Sequence, residues 1–253
     1  MKLETLEDGI ASLRISEDDA PYLDTTGAVR ELEAAVATLR ADTTVRAVLV
    51  EGGRPYFSAG AHRDLLTDED ARAKIAAFCQ RFPSLLLDLP VPSVAAMEGH
   101  AVGGGWLIGL WCDVPVHARE SLYGANFMQL GFTPGMGSTV MVEAAVGAPL
   151  ARELLFTGRL CKGKELAASG GPLAHSVVPR AEVREKALAI ARDIAEAPRT
   201  SLVLLKETLS ADRRVRLERA LEAEQRMHAV SFGDAEVRAG IDERYRPGSR
   251  SED

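Results

Sequence analysis

Three consecutive glycines, Gly103-Gly104-Gly105, stand at the start of an apolar helical run that extends to Leu110. Glycines leave their N–H groups open to a ligand atom that side chains would otherwise shield. The unpaired N–H groups at a helix start also carry partial positive charge. A second small-residue turn, Phe57-Ser58-Ala59-Gly60-Ala61, lies upstream and can supply one more donor. Two converging N–H groups make an oxyanion hole, which stabilises an acyl or thioester oxygen as it gains charge. The plainer alternative for the glycines is close helix–strand packing. Their spacing is not that of a dinucleotide fingerprint, and no Gly-Lys-Ser/Thr phosphate loop occurs in the chain.

Other reactive side chains are sparse. His62 and Arg63 directly follow the first turn, and Arg63 has the fork geometry to hold a carboxylate bidentately. Lys74 is the single lysine between Ala61 and Phe82, in a stretch that reads as helical and exposed. His100 is expected to brace the glycine turn, and Trp106 and Trp111 to fill the core. Cys79, Cys112 and Cys161 are odd in number and lack metal spacing, so they read as reduced thiols. No His, Cys or carboxylate cluster has the spacing of a metal site, and none is expected.

These residues need a scaffold. Apolar residues make up 46% of the 253-residue chain and charged ones 26%, ordinary for a globular protein. A net charge of −7 argues against nucleic acid as the main partner. Arginine supplies 24 of the 30 basic residues, enough for a local patch facing a phosphorylated ligand. No signal peptide or membrane-length apolar run is visible, so the expected location is the cytoplasm.

Ile10 to Ile15 alternates as a strand should, with Gly9 marking a hairpin. Thr25 and Thr26 can cap a helix whose Val29, Leu32, Val36 and Leu39 share one face. Residues 45–50 and 91–97 read as buried strands, and strand–helix–strand order predicts parallel pairing with ligands at the strand C-termini. Beyond residue 137 the pattern is helical, over 148–156, 164–168, 181–195, 201–209 and 215–230. An α/β core with a C-terminal helical extension fits this order.

The succession Phe57 to Ala61, then Val91 to Gly105, then Gly131-Phe132-Thr133-Pro134-Gly135-Met136-Gly137 resembles the crotonase (enoyl-CoA hydratase/isomerase) superfamily over nearly the whole chain. The resemblance implies a spiral of ββα units over residues 1–195 and a C-terminal helical trimerisation region over 196–253. It also implies an acyl thioester on coenzyme A or an acyl carrier protein, with no other cofactor, and oxyanion N–H groups at Ala59 and Gly104. The superfamily's hydratases position water with two glutamates. This chain has Leu107 and Phe127 there, and neither can exchange protons.

Decarboxylation survives in a dry pocket of this kind. Loss of CO₂ leaves a carbanion that the thioester oxygen delocalises, and an apolar wall solvates the starting carboxylate poorly. Tyr123 to Met128 running into Gly131 to Gly137 is similar to the decarboxylase branch of polyketide β-branching cassettes, as is Met227 to Phe232. That branch converts a carrier-bound 3-methylglutaconyl group to 3-methylcrotonyl. The resemblance implies a catalytic His228 on the C-terminal helix and a lysine on the loop after the first turn, for which Lys74 is the candidate. Leu107, Phe127, Asn126, His62 and Arg63 are the expected substrate contacts. The alternatives are an isomerase or hydratase using other residues, and a binding scaffold without turnover.

Overall fold

The structure is a computed structural model that describes residues 1–23, 25–61 and 69–244; the side chains of residues 25–26, 69–75 and 240–244 are outside that description. It opens with a hairpin, β1 (Lys2–Thr5) and β2 (Ile10–Arg14), whose turn residues Asp8 and Gly9 have φ of 62° and 74°. There follow α1 (Thr25–Ala41), β3 (Ala47–Glu51), β4 (Tyr56–Ser58), α2 (Glu69–Leu87), β5 (Ser93–Met97), β6 (His100–Val102) and α3 (Gly104–Trp111). Next come β7 (Val114–Ala118), β8 (Leu122–Gly124), a 3₁₀ turn (Asn126–Leu130), α4 (Ser138–Val146), α5 (Ala148–Thr157), β9 (Cys161–Lys162) and α6 (Gly163–Ala168). The chain closes with β10 (Val177–Val178), α7 (Val183–Ala195), α8 (Arg199–Ser231) and α9 (Ala235–Arg244).

The larger sheet has the order β1-β2-β3-β5-β7-β10 and is parallel apart from β1. Every residue of β3 and β5 is buried, because helices cover both faces, as parallel pairing requires. Val48, Val50, Ala95 and Met97 point into the main core, towards α1, α2 and α3. Ala47, Leu49, Val94 and Ala96 point the other way, onto Val183, Ala187 and Ala191 of α7. The small residues of α7 recur at helical spacing and let it lie close to the sheet.

A second sheet, β4-β6-β8-β9, sits apart from the first. Sequence spacing suggests that the two small-residue turns leave the strands at 45–50 and 91–97. They leave β4 and β6 instead, which pair in parallel, so the turns emerge side by side. Each of these strands has three residues, too few for alternation to be read.

The C-terminal half holds another difference. The segments 201–209 and 215–230, expected as two helices, are one 33-residue helix, α8. No glycine or proline interrupts residues 210–214, and charge pins the middle of the helix. Lys206 Nζ lies 2.6 Å from Asp113 Oδ2, and Arg213 lies 3.1 Å from Oδ1. The backbone N–H and hydroxyl of Ser93 also donate to Asp113, so the largely buried carboxylate is well satisfied. Leu217 and Leu221 then anchor the next turns in the core. This carries the last turns of α8 over the glycine turns. Among the described residues, no helix is long and apolar enough to cross a membrane.

Candidate active site

A cavity of about 380 Å³ opens where the β4 and β6 turns meet the end of α8. Gly60 and Gly103 shape its donor side. Their φ of +76° and +57° are left-handed, so the chain can turn sharply there only at little strain without a side chain. A Cβ on Gly60 would stand 3.1 Å from Val102 O and 3.4 Å from Gly104 N, so the turns lie against one another. Gly105 brings them closer still: a Cβ there would be 2.1 Å from Ser58 O.

The N–H groups can be accounted for one by one. Gly103 N–H donates to Gly124 O at 2.8 Å, and Gly60 N–H to Ser58 Oγ at 3.1 Å. Gly104 N–H, at the first residue of α3, has no acceptor among the described residues. Ala59 is a correction. Its N–H donates to Pro21 O at 2.9 Å and cannot also grip a substrate oxygen. The bridge between Leu23 and Ala61, with Leu23 N–H on Gly60 O, leaves Ala61 N–H without an acceptor among the described residues. Gly105 N–H also has no acceptor among the described residues, but Gly105 does not line the cavity, whereas Ala61 and Gly104 do, so these two are the donors the turns offer it. The signal in the sequence was Gly60 itself, whose φ of 76° marks a sharp turn just before Ala61.

The opposite walls are apolar. Phe127 is buried and lines the cavity. Its ring begins a chain through Phe132 and Phe232 to His228, with centroid spacings of 5.7, 5.8 and 5.4 Å. Leu107 is a second correction. It is fully buried in the core behind α3 and is not among the cavity-lining residues. Asn126 lines the cavity with its Oδ1 3.1 Å from where a Gly103 Cβ would stand, and its amide has no partner among the described residues.

His228, on the last turns of α8, faces the cavity. Its Nε2 lies 2.9 Å from Thr133 O. Burial lowers its pKa below 6.5, with the backbone of Thr133 and Pro134 pulling the other way. The ring is therefore neutral near pH 7, donates Nε2–H to Thr133, and keeps a lone pair on Nδ1. Cys79 also lines the cavity, its thiol pushed up to about 12 by burial and by the charge of Glu224. Lys74 lies on α2 with its side chain outside the described residues, and His62 and Arg63 lie outside them altogether.

His100, His117 and the two tryptophans are structural. His100 Nδ1 accepts the Leu122 N–H at 2.9 Å and braces β6 against β8. Trp106 Nε1–H donates to the fully buried His117 at 3.3 Å, and Trp111 Nε1–H to Met136 O at 2.8 Å. Among the described residues, no group of three His, Cys, Asp or Glu could hold a metal ion.

Two main-chain N–H groups without an acceptor among the described residues, over an apolar cavity, are an arrangement that can hold an oxyanion. Residues 7–246 match the enoyl-CoA hydratase/isomerase family, and the chain belongs to it. It is 40% identical over 204 residues to the bacillaene synthase decarboxylase PksI of Bacillus subtilis, covering 80% of each chain. The ECH2 decarboxylase domain of CurF from Lyngbya majuscula superposes with a TM-score of 0.85 at 32% identity, covering 96% of this chain and 98% of that one. A structure from a dehydratase/decarboxylase enzyme couple involved in polyketide β-branching superposes with a TM-score of 0.85 at 34% identity, over 97% and 99%.

Proposed function

We propose that this chain decarboxylates an unsaturated diacyl thioester, 3-methylglutaconyl to 3-methylcrotonyl, on an acyl carrier protein during polyketide β-branching. One observation carries this: the donors at Ala61 and Gly104 face a cavity walled by Phe127, Phe132 and Phe232, with His228 as its titratable base. Similarity to decarboxylases at 32–40% identity supports it.

The thioester oxygen takes both N–H groups. The bond between C4 and the carboxyl carbon breaks, CO₂ departs, and the electron pair spreads through the conjugated chain onto that oxygen. Each donor is worth about 2.7–4 kcal/mol in a water-poor site, so the pair supplies much of the acceleration. His228 returns the proton. A substrate carboxylate beside it favours the imidazolium form, and the ring nitrogen not held by Thr133 delivers its proton to C4, giving 3-methylcrotonyl. Water restores the proton afterwards.

Asn126 bonds the thioester arm near Gly103. Lys74, His62 and Arg63 are the cations that the sequence offers to the carboxylate. The carrier is phosphopantetheine, on an acyl carrier protein or in coenzyme A, and the reaction uses no further cofactor. A homotrimer belongs to the same proposal. Leu204, Leu205 and Leu209 of α8 are 59%, 55% and 63% exposed and would be covered by a neighbouring subunit.

The experiment incubates the protein with 3-methylglutaconyl thioester and follows the mass of the acyl group. Loss of CO₂ supports the proposal. A moved double bond without mass change, or an untouched substrate, refutes it. His228→Ala should lose about 10²–10⁴-fold in rate.

A further inference from the structure

The turn that closes the cavity floor is held by an acid four residues before His228 on the same helix face. Glu224 is only 2% exposed. Its Oε2 accepts Gly137 N–H at 2.7 Å, and its Oε1 accepts Thr139 N–H at 3.0 Å and Thr139 Oγ–H at 2.8 Å. All three donors belong to one short stretch of chain. That stretch is strained, for Met136 has φ of 61° although it carries a side chain, and Gly137 follows at 71°. Trp111 Nε1–H on Met136 O holds it from the other side.

What the turn presents explains why a buried carboxylate is spent on it. Met136 packs its thioether on the donor residue Gly104, where a Cβ would stand 2.7 Å from Sδ. Gly135 lies against the imidazole, with His228 Cε1 3.1 Å from where its Cβ would be. At its start, Thr133 supplies the carbonyl that fixes the His228 ring. Glu224 and His228 are neighbours on α8 at i,i+4, so one helix face grips both ends of the same turn.

We propose that Glu224 is a positioning residue: by clamping residues 137–139 it sets Met136 against Gly104 and the Thr133 carbonyl against His228. It fixes the distance between the oxyanion donor and the proton-delivering ring without touching substrate. The roles of the donor and the ring rest on the decarboxylase proposal; the clamp itself rests on the hydrogen bonds of Glu224 and His228.

The test uses the full chain carrying Glu224→Gln, which keeps volume but replaces one acceptor oxygen with a donor. Two quantities are read in folded protein: kcat and KM with 3-methylglutaconyl thioester, and the NMR titration of the His228 ring. The expected result is a fall in kcat between about 10- and 100-fold, the scale of sub-ångström to 1 Å misplacement. KM should stay nearly constant, and the His228 midpoint should move, because both its enclosure and its bond to the Thr133 carbonyl depend on the clamped turn. Thr139→Val, which removes one hydroxyl bond to Glu224, should lower kcat by about threefold and serves if Glu224→Gln does not fold. A folded variant with wild-type kcat and an unmoved His228 titration overturns the proposal. If the wild-type protein leaves the thioester unchanged, the decarboxylase reading fails, and the His228 titration still decides the role of Glu224.

Discussion

Replacing Gly105 with alanine places one methyl group between the two turns that carry the donors. The new Cβ would lie 2.1 Å from Ser58 O, 2.7 Å from Ser58 C and 2.9 Å from Ser58 Cβ. Both ends of this contact are backbone or close to it, so no rotamer change relieves it. Real Cβ contacts do not fall below 3.0 Å, and the β4 turn must withdraw from α3 by about 1 Å. Ala61 follows Ser58 by three residues and moves with it, whereas Gly104 stays with α3. Misplacement of about 1 Å costs about 100-fold, close to the 2.7 kcal/mol lower bound for losing one donor. We therefore expect kcat for the thioester to fall about 100-fold with KM little changed, alongside about 1–3 kcal/mol of stability. The assay is initial-rate mass analysis of the acyl group, with urea unfolding in parallel. Gly109→Ala is the control, because its Cβ would meet the flexible Met97 thioether at 2.2 Å on the core side of the same helix. It should lose stability and keep kcat. A folded Gly105→Ala enzyme turning over within threefold of wild type would refute the claim that the gap between the turns sets the rate.

Ala61→Pro deletes one oxyanion N–H and should lower kcat by about 10²–10³-fold; steady-state kinetics showing an unchanged rate would return the donor to another residue. Leu107→Glu puts an unpaired carboxylate in the core and should destabilise the fold by about 3–5 kcal/mol without creating hydratase activity, as read by urea unfolding and an enoyl thioester assay. Burial alone drives His117 down to about 3, so the folded protein refuses a proton that the unfolded chain takes up near 6.5. The unfolded state then binds more protons, and stability should be full above about pH 6.5 and fall as pH drops towards 3, by up to roughly 5 kcal/mol. Urea unfolding across this range should show a shallower slope for His117→Gln.

The sequence made much of the site legible through chemistry that leaves a compositional trace. Gly103 to Gly105 and Gly60 marked the two turns that line the cavity, and the apolar residue at 127 announced one of its walls. What stayed hidden depends on which atom faces which. Ala59 and Ala61 are chemically identical, and only the bond from Ala59 N–H to Pro21 O separates them. Leu107 and Phe127 looked equivalent, yet one faces the core and the other the cavity. Strands β4, β6 and β8 escaped because three residues show no period, and α8 was divided because its polar middle obscures the repeat that Asp113 holds together. Glu224 was visible as Glu-x-x-x-His spacing, but a surface helix offers many such pairs, and its burial is a tertiary fact.

Both donors at Ala61 and Gly104 belong to the peptide backbone, and this separates inheritance of power from choice of reaction. Side-chain replacement elsewhere in the bowl can swap a phenylalanine for an acid, or an acid for a phenylalanine, while the two N–H groups persist. A lineage built on such a scaffold can change what it makes without relearning how to make it quickly.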